Sequence, residues 1–268
     1  ITDVWCDASK LIKQPDLEKL KKQIKNLEIK DIYRRGKNIL FDLSNDFTLL
    51  IHQKMTGHLL YGLWAIKNKK VIPLIDHNLK DPVNSYIHFI IFLDNSYQIA
   101  LSDLRKFAKI IFAKKENIEK LKELKELGPD PLDKNFTFDQ FKKILKNKRG
   151  KIKTILMDQT IIAGIGNIYS DDILWWAKIH PLQPVQLLTN DELKRLYQAM
   201  RKVLKTGLRY RGASISDYRD PYGKKGQYDQ IRKVYRRENQ KCYRCGTLIK
   251  RIKVGGRSSC YCPHCQKI

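Results

Sequence analysis

The stretch CYRCGTLIKRIKVGGRSSCYCPHC sets Cys242 and Cys245, then Cys262 and Cys265, in two C-x-x-C pairs sixteen residues apart. Each pair makes a tight knuckle that offers two sulfurs to one ion, and four thiolates at this spacing predict a structural zinc site. Filling all four positions with protein leaves no place for a catalytic water. An iron site or two disulfides are the alternatives. Cys260 fits the second knuckle poorly, Cys6 stands alone far upstream, and His264 is expected to be exposed. Between the knuckles the pattern predicts a β-hairpin with Gly255-Gly256 near its tip and Arg257 beside them. Glycines permit close approach and arginine forks onto phosphate, which suits a nucleic-acid backbone. In a less basic chain Arg257 would read as a solvated turn residue.

This chain is very basic. Its 53 Lys and Arg against 28 Asp and Glu give a net charge of +25 over 268 residues. Charge of that size repels itself in the folded state and is matched by a polyanionic partner, nucleic acid foremost, because neutralised phosphates release counterions. The bland alternative is a solvated basic surface. A second feature lies in IAGIGNIYSDD, where Gly164-x-Gly166 precedes Asn167 at a helix start. Unpaired N–H groups of such a turn can bind phosphate, although the same pattern serves as a plain helix–helix turn. The basic run KNKRGKIK, with Lys148, lies just upstream.

The elements that must position these residues fall into two blocks, an α+β organisation of two domains. Residues 1–115 read mainly as strands, with the runs LLIHQKMTGHLLYG and YIHFIIFLDNSYQIALSD, and with one helix that sets Leu17, Leu20, Ile24 and Leu27 on one face. Residues 116–135, which include LGPDPLD at 127–133, read as a linker. From 136 to 232 the pattern is helical. One helix is expected to open at Asn190 as N-cap, and a polar loop spans 210–228. Residues 233–268 form the cysteine region. No leader pattern and no apolar run long enough to span a bilayer is visible, so a soluble, cytoplasmic, nucleoid-associated protein without membrane contact is expected.

MDQTIIAGIGNIYSDDILWWAKIHP resembles the helix–two-turn–helix segment of the formamidopyrimidine-DNA glycosylase and endonuclease VIII family. That family continues with a helix, a mobile loop and a four-cysteine zinc hairpin, in the order found here. Upstream, RRGKNILFDL, IHQKMTGHL and SDLRKFAKI resemble three blocks of its N-terminal β-sandwich. The resemblance covers essentially the whole chain. It implies a β-sandwich followed by a helix–two-turn–helix domain with one zinc ion. It also implies a monomer acting on double-stranded DNA that contains oxidised bases or abasic sites.

Carried over by position, the resemblance gives Lys37 a phosphate contact and help in strand cleavage. Asn167 becomes a phosphate ligand, and Arg257 a phosphate grip with a part in elimination. Met55, Arg105 and Phe107 match side chains that fill the gap left by an everted base, an apolar wedge with an arginine for the orphaned partner. Without the resemblance, Met55 and Phe107 would be assigned to the core and Lys37 to a solvated edge. Lys148 falls at a DNA-contacting position, and Tyr86 stands where a DNA-contacting histidine is common, with His88 nearby. Lys54 adds a charge beside Met55, and Asp172 replaces a common glutamate, which shortens a carboxylate and puts its hydrogen bonds in question.

The Met-Thr-Gly and Leu-Arg-Lys-Phe blocks favour the branch that removes oxidised purines such as 8-oxoguanine and formamidopyrimidines. A family member begins its chemistry with an N-terminal Pro-Glu, whose secondary amine attacks the deoxyribose. That pair is absent from the start ITDVW. The expectation is that the sequence lacks the leading helix of an active enzyme and that the chain as written is inactive. Competing readings are a non-catalytic zinc protein that binds damaged DNA, and an endonuclease VIII-like enzyme for oxidised pyrimidines.

Overall fold

The computed structural model describes residues 1–68, 70–75, 78–214 and 217–268. Two compact units are present, Ile1–Lys125 with Arg211–Gln227, and Glu126–Tyr210 with Tyr228–Ile268.

The strands of the first unit begin with β1 (Asp3–Cys6), β2 (Ile12–Gln14), β3 (Ile29–Arg35), β4 (Asn38–Leu43), β5 (Phe47–His52) and β6 (His58–Gly62). They continue with β7 (Trp64–Lys67), β8 (Lys70–Pro73), β9 (Ile87–Phe92), β10 (Gln98–Ser102) and β11 (Lys109–Lys114). One sheet has the order β1-β9-β10-β6 and a second β2-β11-β5-β4-β3, while β7 and β8 pair as a separate ribbon. Val4, Phe89, Ile91 and Leu101 of the first sheet and Phe41, Leu49, Ile51, Ile110 and Phe112 of the second share one buried cluster, which makes the expected sandwich. Helix α1 (Leu17–Ile24) adds Leu20 and Ile24 to it, with Asp16 as N-cap. Successive strand residues face opposite ways, so Ile90, Ala100 and Leu60 enter another cluster with Trp64 and Leu79. Burial on both faces explains why residues 89–92 of β9 read as an apolar run without alternation.

The stretch LLIHQKMTGHLLYG divides into β5 and β6, and the turn between them carries Met55. Part of the segment expected as linker is helical: α2 (Lys115–Glu119) and α3 (Lys122–Lys125) complete the first unit. Residues 211–227, expected as a loop of the helical domain, group instead with the sandwich; positions 215 and 216 lie outside the described residues. The reason is polar. Arg219, 3% exposed, donates from Nε and Nη2 to Asp81 Oδ2 at 3.1 and 2.9 Å, and Tyr61 N donates to Pro221 O at 2.7 Å.

In the second unit, α4 (Phe138–Lys146) opens with a reciprocal cap between Thr137 and Gln140. After α5 (Ile152–Met157) and α6 (Asn167–Ala177) comes α7 (Asn190–Arg209). The N-cap of α7 is Thr189, not Asn190. Thr189 and Glu192 complete a capping box that satisfies two orphan donors, which makes Asn190 the first helical residue. Strands β12 (Lys250–Val254) and β13 (Arg257–Tyr261) pair as the expected hairpin, with Gly255 and Gly256 both at positive φ in its two-residue turn. No helix among the described residues is long and apolar enough to cross a membrane.

Two neighbouring carboxylates of α6 anchor the chain around the hairpin. Asp171 pairs with Lys153 of α5 and accepts from Ser259 Oγ at 2.7 Å and Cys260 N at 2.9 Å. Asp172 accepts from Tyr228 OH at 2.8 Å, Lys233 N at 2.9 Å and Val234 N at 3.0 Å. The shortened carboxylate is therefore fully engaged, with a tyrosine hydroxyl as one of its donors. Tyr228→Phe removes one hydrogen bond to a buried charge and leaves the ring in place. It is expected to lower stability by about 1.5–3 kcal/mol, read from urea unfolding; an unchanged midpoint would show that the hydroxyl contributes nothing.

Candidate functional site

In the first unit the exposed functional positions cluster at two turns. Met55 is 70% and Phe107 50% exposed, far too open for core residues of their size. Arg105 lies between them: Nη1 is 3.4 Å from Met55 Sδ, and the guanidinium carbon sits 4.4 Å from the centre of the Phe107 ring. Of the three side chains expected to fill a duplex gap, Arg105 thus touches both of the others. Each turn carries a left-handed non-glycine residue, Lys54 at φ 57° and Lys106 at φ 54°. That conformation costs roughly 1–2 kcal/mol, so the surrounding bonds must hold it.

Gln53–Gly57 is pinned by Lys54 N donating to His52 Nδ1 at 2.9 Å and Gly57 N donating to Gln53 O at 3.1 Å. A side chain at position 57 would meet Gln53 O at 2.4 Å, so the turn requires glycine there. Lys37 is exposed in the β3–β4 turn, next to left-handed Gly36, where the β4 residue Asn38 pairs in register with His52. Burial, then the charges of Lys54, Lys37 and Lys109, pushes the His52 imidazole down to about 4. Tyr86, 40% exposed, leads into β9, and its carbonyl accepts from Asp103 N at 2.7 Å. His88 does not share this surface. It is buried in β9, and its Nδ1 lies 2.8 Å from Asp7 Oδ1.

In the second unit, Gly166 is the N-cap of α6 and supplies no side-chain cap. Asn167 and Arg257 line one pocket of about 580 Å³ together with Tyr235, Arg236 and Arg251. Asn167 Nδ2 donates to Ser258 O at 3.1 Å, and Arg251 Nε to Glu238 Oε2 at 2.8 Å. Three arginines against the single carboxylate of Glu238 leave this concave surface cationic, the chemistry of an oxyanion site. Lys148 lies in the turn after α4, its N–H donating to Leu145 O at 3.0 Å.

The sulfurs of Cys242, Cys245, Cys262 and Cys265 all lie within 4.8 Å of one another. The Cys245–Cys262 and Cys245–Cys265 separations are both 3.4 Å, close to the ~3.8 Å that tetrahedral Zn–S bonds of 2.3 Å impose. Trp175 Nε1 and Arg244 N donate to Cys242 Sγ at 3.3 and 3.5 Å, donors suited to a thiolate. The residues fit one structural zinc. Cys260 is buried and outside the set, and His264 is exposed.

Several contributors escape the sequence pattern. His52 reads as an ordinary strand residue, Asp103 and Thr56 as turn polars, and Arg251 and Tyr235 as surface residues. The only signals are positional: Thr56 follows Met55, Asp103 precedes Arg105 by two, and Arg251 shares a hairpin with Arg257.

Comparison with known proteins shows the family. Residues 1–110 match the formamidopyrimidine-DNA glycosylase N-terminal domain and 127–219 its H2TH domain. Residues 239–268 match a zinc finger found in FPG and IleRS. The chain is 40% identical over its full length to a formamidopyrimidine-DNA glycosylase of Pelotomaculum thermopropionicum, covering 92% of that protein. It is 38% identical to one of Desulforamulus reducens, covering 91%. Among solved structures it resembles the Lactococcus lactis Fpg bound to DNA containing an abasic site, with a TM-score of 0.85, 29% identity, and coverage of 100% of this chain and 92% of that one. A Lactococcus lactis Fpg variant bound to DNA containing Fapy-dG matches equally well, also at 0.85.

Two outcomes follow from the site. His52 is neutral in the folded state well below its ordinary range, so its contribution to stability is complete above about pH 6.5 and is lost as pH falls toward 4. Urea midpoints should decline across that interval, and His52→Gln should shallow the decline; an identical slope in the variant would exclude the histidine. Metal analysis should find one zinc per chain, and Cys262→Ser should abolish it, with unfolding of the hairpin. Full retention of folded structure in a chelated, metal-free sample would overturn the structural role.

Proposed function

Because the chain belongs to the formamidopyrimidine-DNA glycosylase family, we propose that it is a base-excision-repair glycosylase and abasic-site lyase. Its substrates are oxidised purines, 8-oxoguanine and formamidopyrimidines, in duplex DNA. The single observation that carries this reading is the exposed contact cluster of Met55, Arg105 and Phe107. An apolar side chain, an arginine and an aromatic ring have no folding reason to gather in water. They suit a wedge that replaces an everted base, with Arg105 facing the orphaned partner.

The other residues supply grip and charge. Asn167 and Arg257 hold a backbone phosphate at the N-terminus of α6, and Lys148 and Tyr86 add DNA contacts. Elimination at the sugar expels phosphate, and a positioned cation stabilises the charge developing on its oxygen. Lys37 and Arg257 serve that purpose. One zinc ion, held by Cys242, Cys245, Cys262 and Cys265, fixes the hairpin that carries Arg257 and takes no part in the chemistry. A cytoplasmic, nucleoid-associated location is the one that goes with double-stranded DNA as substrate.

The test uses the protein expressed from its complete gene and a duplex with 8-oxoguanine opposite cytosine. Base release, strand cleavage and a borohydride-trapped covalent adduct are expected. Lesion-specific binding without cleavage or adduct would instead identify a non-catalytic damage-binding protein. Arg257→Ala should weaken binding at all sequences and reduce the slope of log K against log salt by about one; an unaltered slope would remove the phosphate contact.

A further inference from the structure

The wedge of exposed side chains is held by a residue that never reaches the surface. Asp103 follows β10 and is completely buried. Its Oδ2 accepts from Phe107 N and Ala108 N, each at 2.7 Å, and its Oδ1 accepts the hydroxyl of Thr56. Thr56 Oγ1 in turn accepts from Arg105 N at 3.2 Å. The backbone of Asp103 also closes the turn, its carbonyl accepting from Lys106 N at 3.0 Å. One carboxylate and one hydroxyl therefore tie the Met55 turn to the Arg105–Phe107 turn, 47 residues away in sequence. No side-chain cation among the described residues pairs with Asp103; its donors are two backbone N–H groups and the hydroxyl.

We propose that Asp103, acting through Thr56, is a positioning residue that sets the spacing of Met55, Arg105 and Phe107 and so governs base eversion rather than chemistry at the sugar. The proposal rests on the wedge reading given above. Both turns contain a left-handed lysine, so neither is at its intrinsic minimum, and the shared carboxylate supplies the bonds that hold them. A wedge offsets unstacking only if its tips enter the duplex together. Loosening the two turns from each other therefore weakens eversion of a stacked, paired base. A preformed abasic site has no base to evert and is far less demanding.

The experiment compares wild type with Thr56→Val, Thr56→Ser and Asp103→Asn, all expressed from the complete gene. Insertion is followed by the fluorescence of 2-aminopurine placed opposite a stable abasic analogue, where unstacking brightens the probe. Single-turnover rates are followed on 8-oxoguanine:cytosine duplexes and on duplexes with a preformed abasic site. Thr56→Val should cut the fluorescence rise and slow 8-oxoguanine excision by about tenfold, or about 1.4 kcal/mol. Abasic-site cleavage should stay within about twofold, and Thr56→Ser should restore both losses. Asp103→Asn should show the same split more strongly; if it fails to fold, the Thr56 pair decides alone. A parallel fall in both rates with normal fluorescence would reduce Asp103 to a structural residue and overturn the proposal, as would wild-type behaviour of Thr56→Val. If wild type brightens the probe yet cleaves neither duplex, the glycosylase reading fails, while the fluorescence of the variants still decides the positioning role.

Discussion

A carboxylate removed from water survives only where donors replace its hydration, and three such groups organise this protein. Asp103, Asp171 and Asp172 are each at most 1% exposed. All three accept from backbone N–H groups: Phe107 and Ala108 ahead of β11, Cys260 within β13, and Lys233 and Val234 beyond the helices. Asp103 and Asp172 thereby fix segments with few ladder bonds of their own, while Asp171 ties β13 to α6. The segments so fixed carry Phe107, flank the zinc knuckles or follow Arg257. Losing any one of these carboxylates strands buried donors, which costs more than the net worth of the bonds themselves.

The charge balance takes on a spatial meaning from this arrangement. A net +25 would be a burden on folding if the cations were interior. Lys153, Arg219 and Arg237 are the buried exceptions among the described residues: Asp171 neutralises Lys153, Asp81 pairs with Arg219, and Arg237 donates to the carbonyls of Lys233 and Lys241. Lys37, Lys54, Arg105 and Arg257 stay in water, on turns that internal acids and glycines hold in place. In each unit, buried acids thus hold turns whose exposed cations a polyanion can neutralise.

How much of this the sequence reveals depends on the range of the interaction. Zinc spacing and the Gly255-Gly256 hairpin are legible as local patterns, whereas Met55 and Phe107 read as core residues until the family resemblance is applied. The sandwich follows from apolar runs such as FIIF at 89–92, whose lack of alternation signals burial on both faces. The cap of α7 is a local feature too, but Thr189 and Asn190 are both good N-caps, and Glu192, three residues after Thr189, decides between them. What stays hidden are contacts between distant positions. Nothing near Asp103 reveals Thr56, and nothing near Arg219 reveals Asp81 as its partner, the ion pair that draws residues 211–227 to the sandwich.

Asp172 shows why residue-by-residue comparison reads such sites incompletely. Against the glutamate common at that position, an aspartate looks like a loss of reach. Its Cα–carboxylate distance is shorter by one methylene, and a buried acid without donors would be costly. The structure closes the gap from the other side: Tyr228 brings a hydroxyl to 2.8 Å while the N–H groups of Lys233 and Val234 complete the set. Burial pushes the Tyr228 hydroxyl above its ordinary range, as the neighbouring carboxylate also demands, so it stays protonated and can only donate to that acid. Position 172 and position 228 are therefore one unit of design, and the identity of either residue has physical meaning only when both are read together.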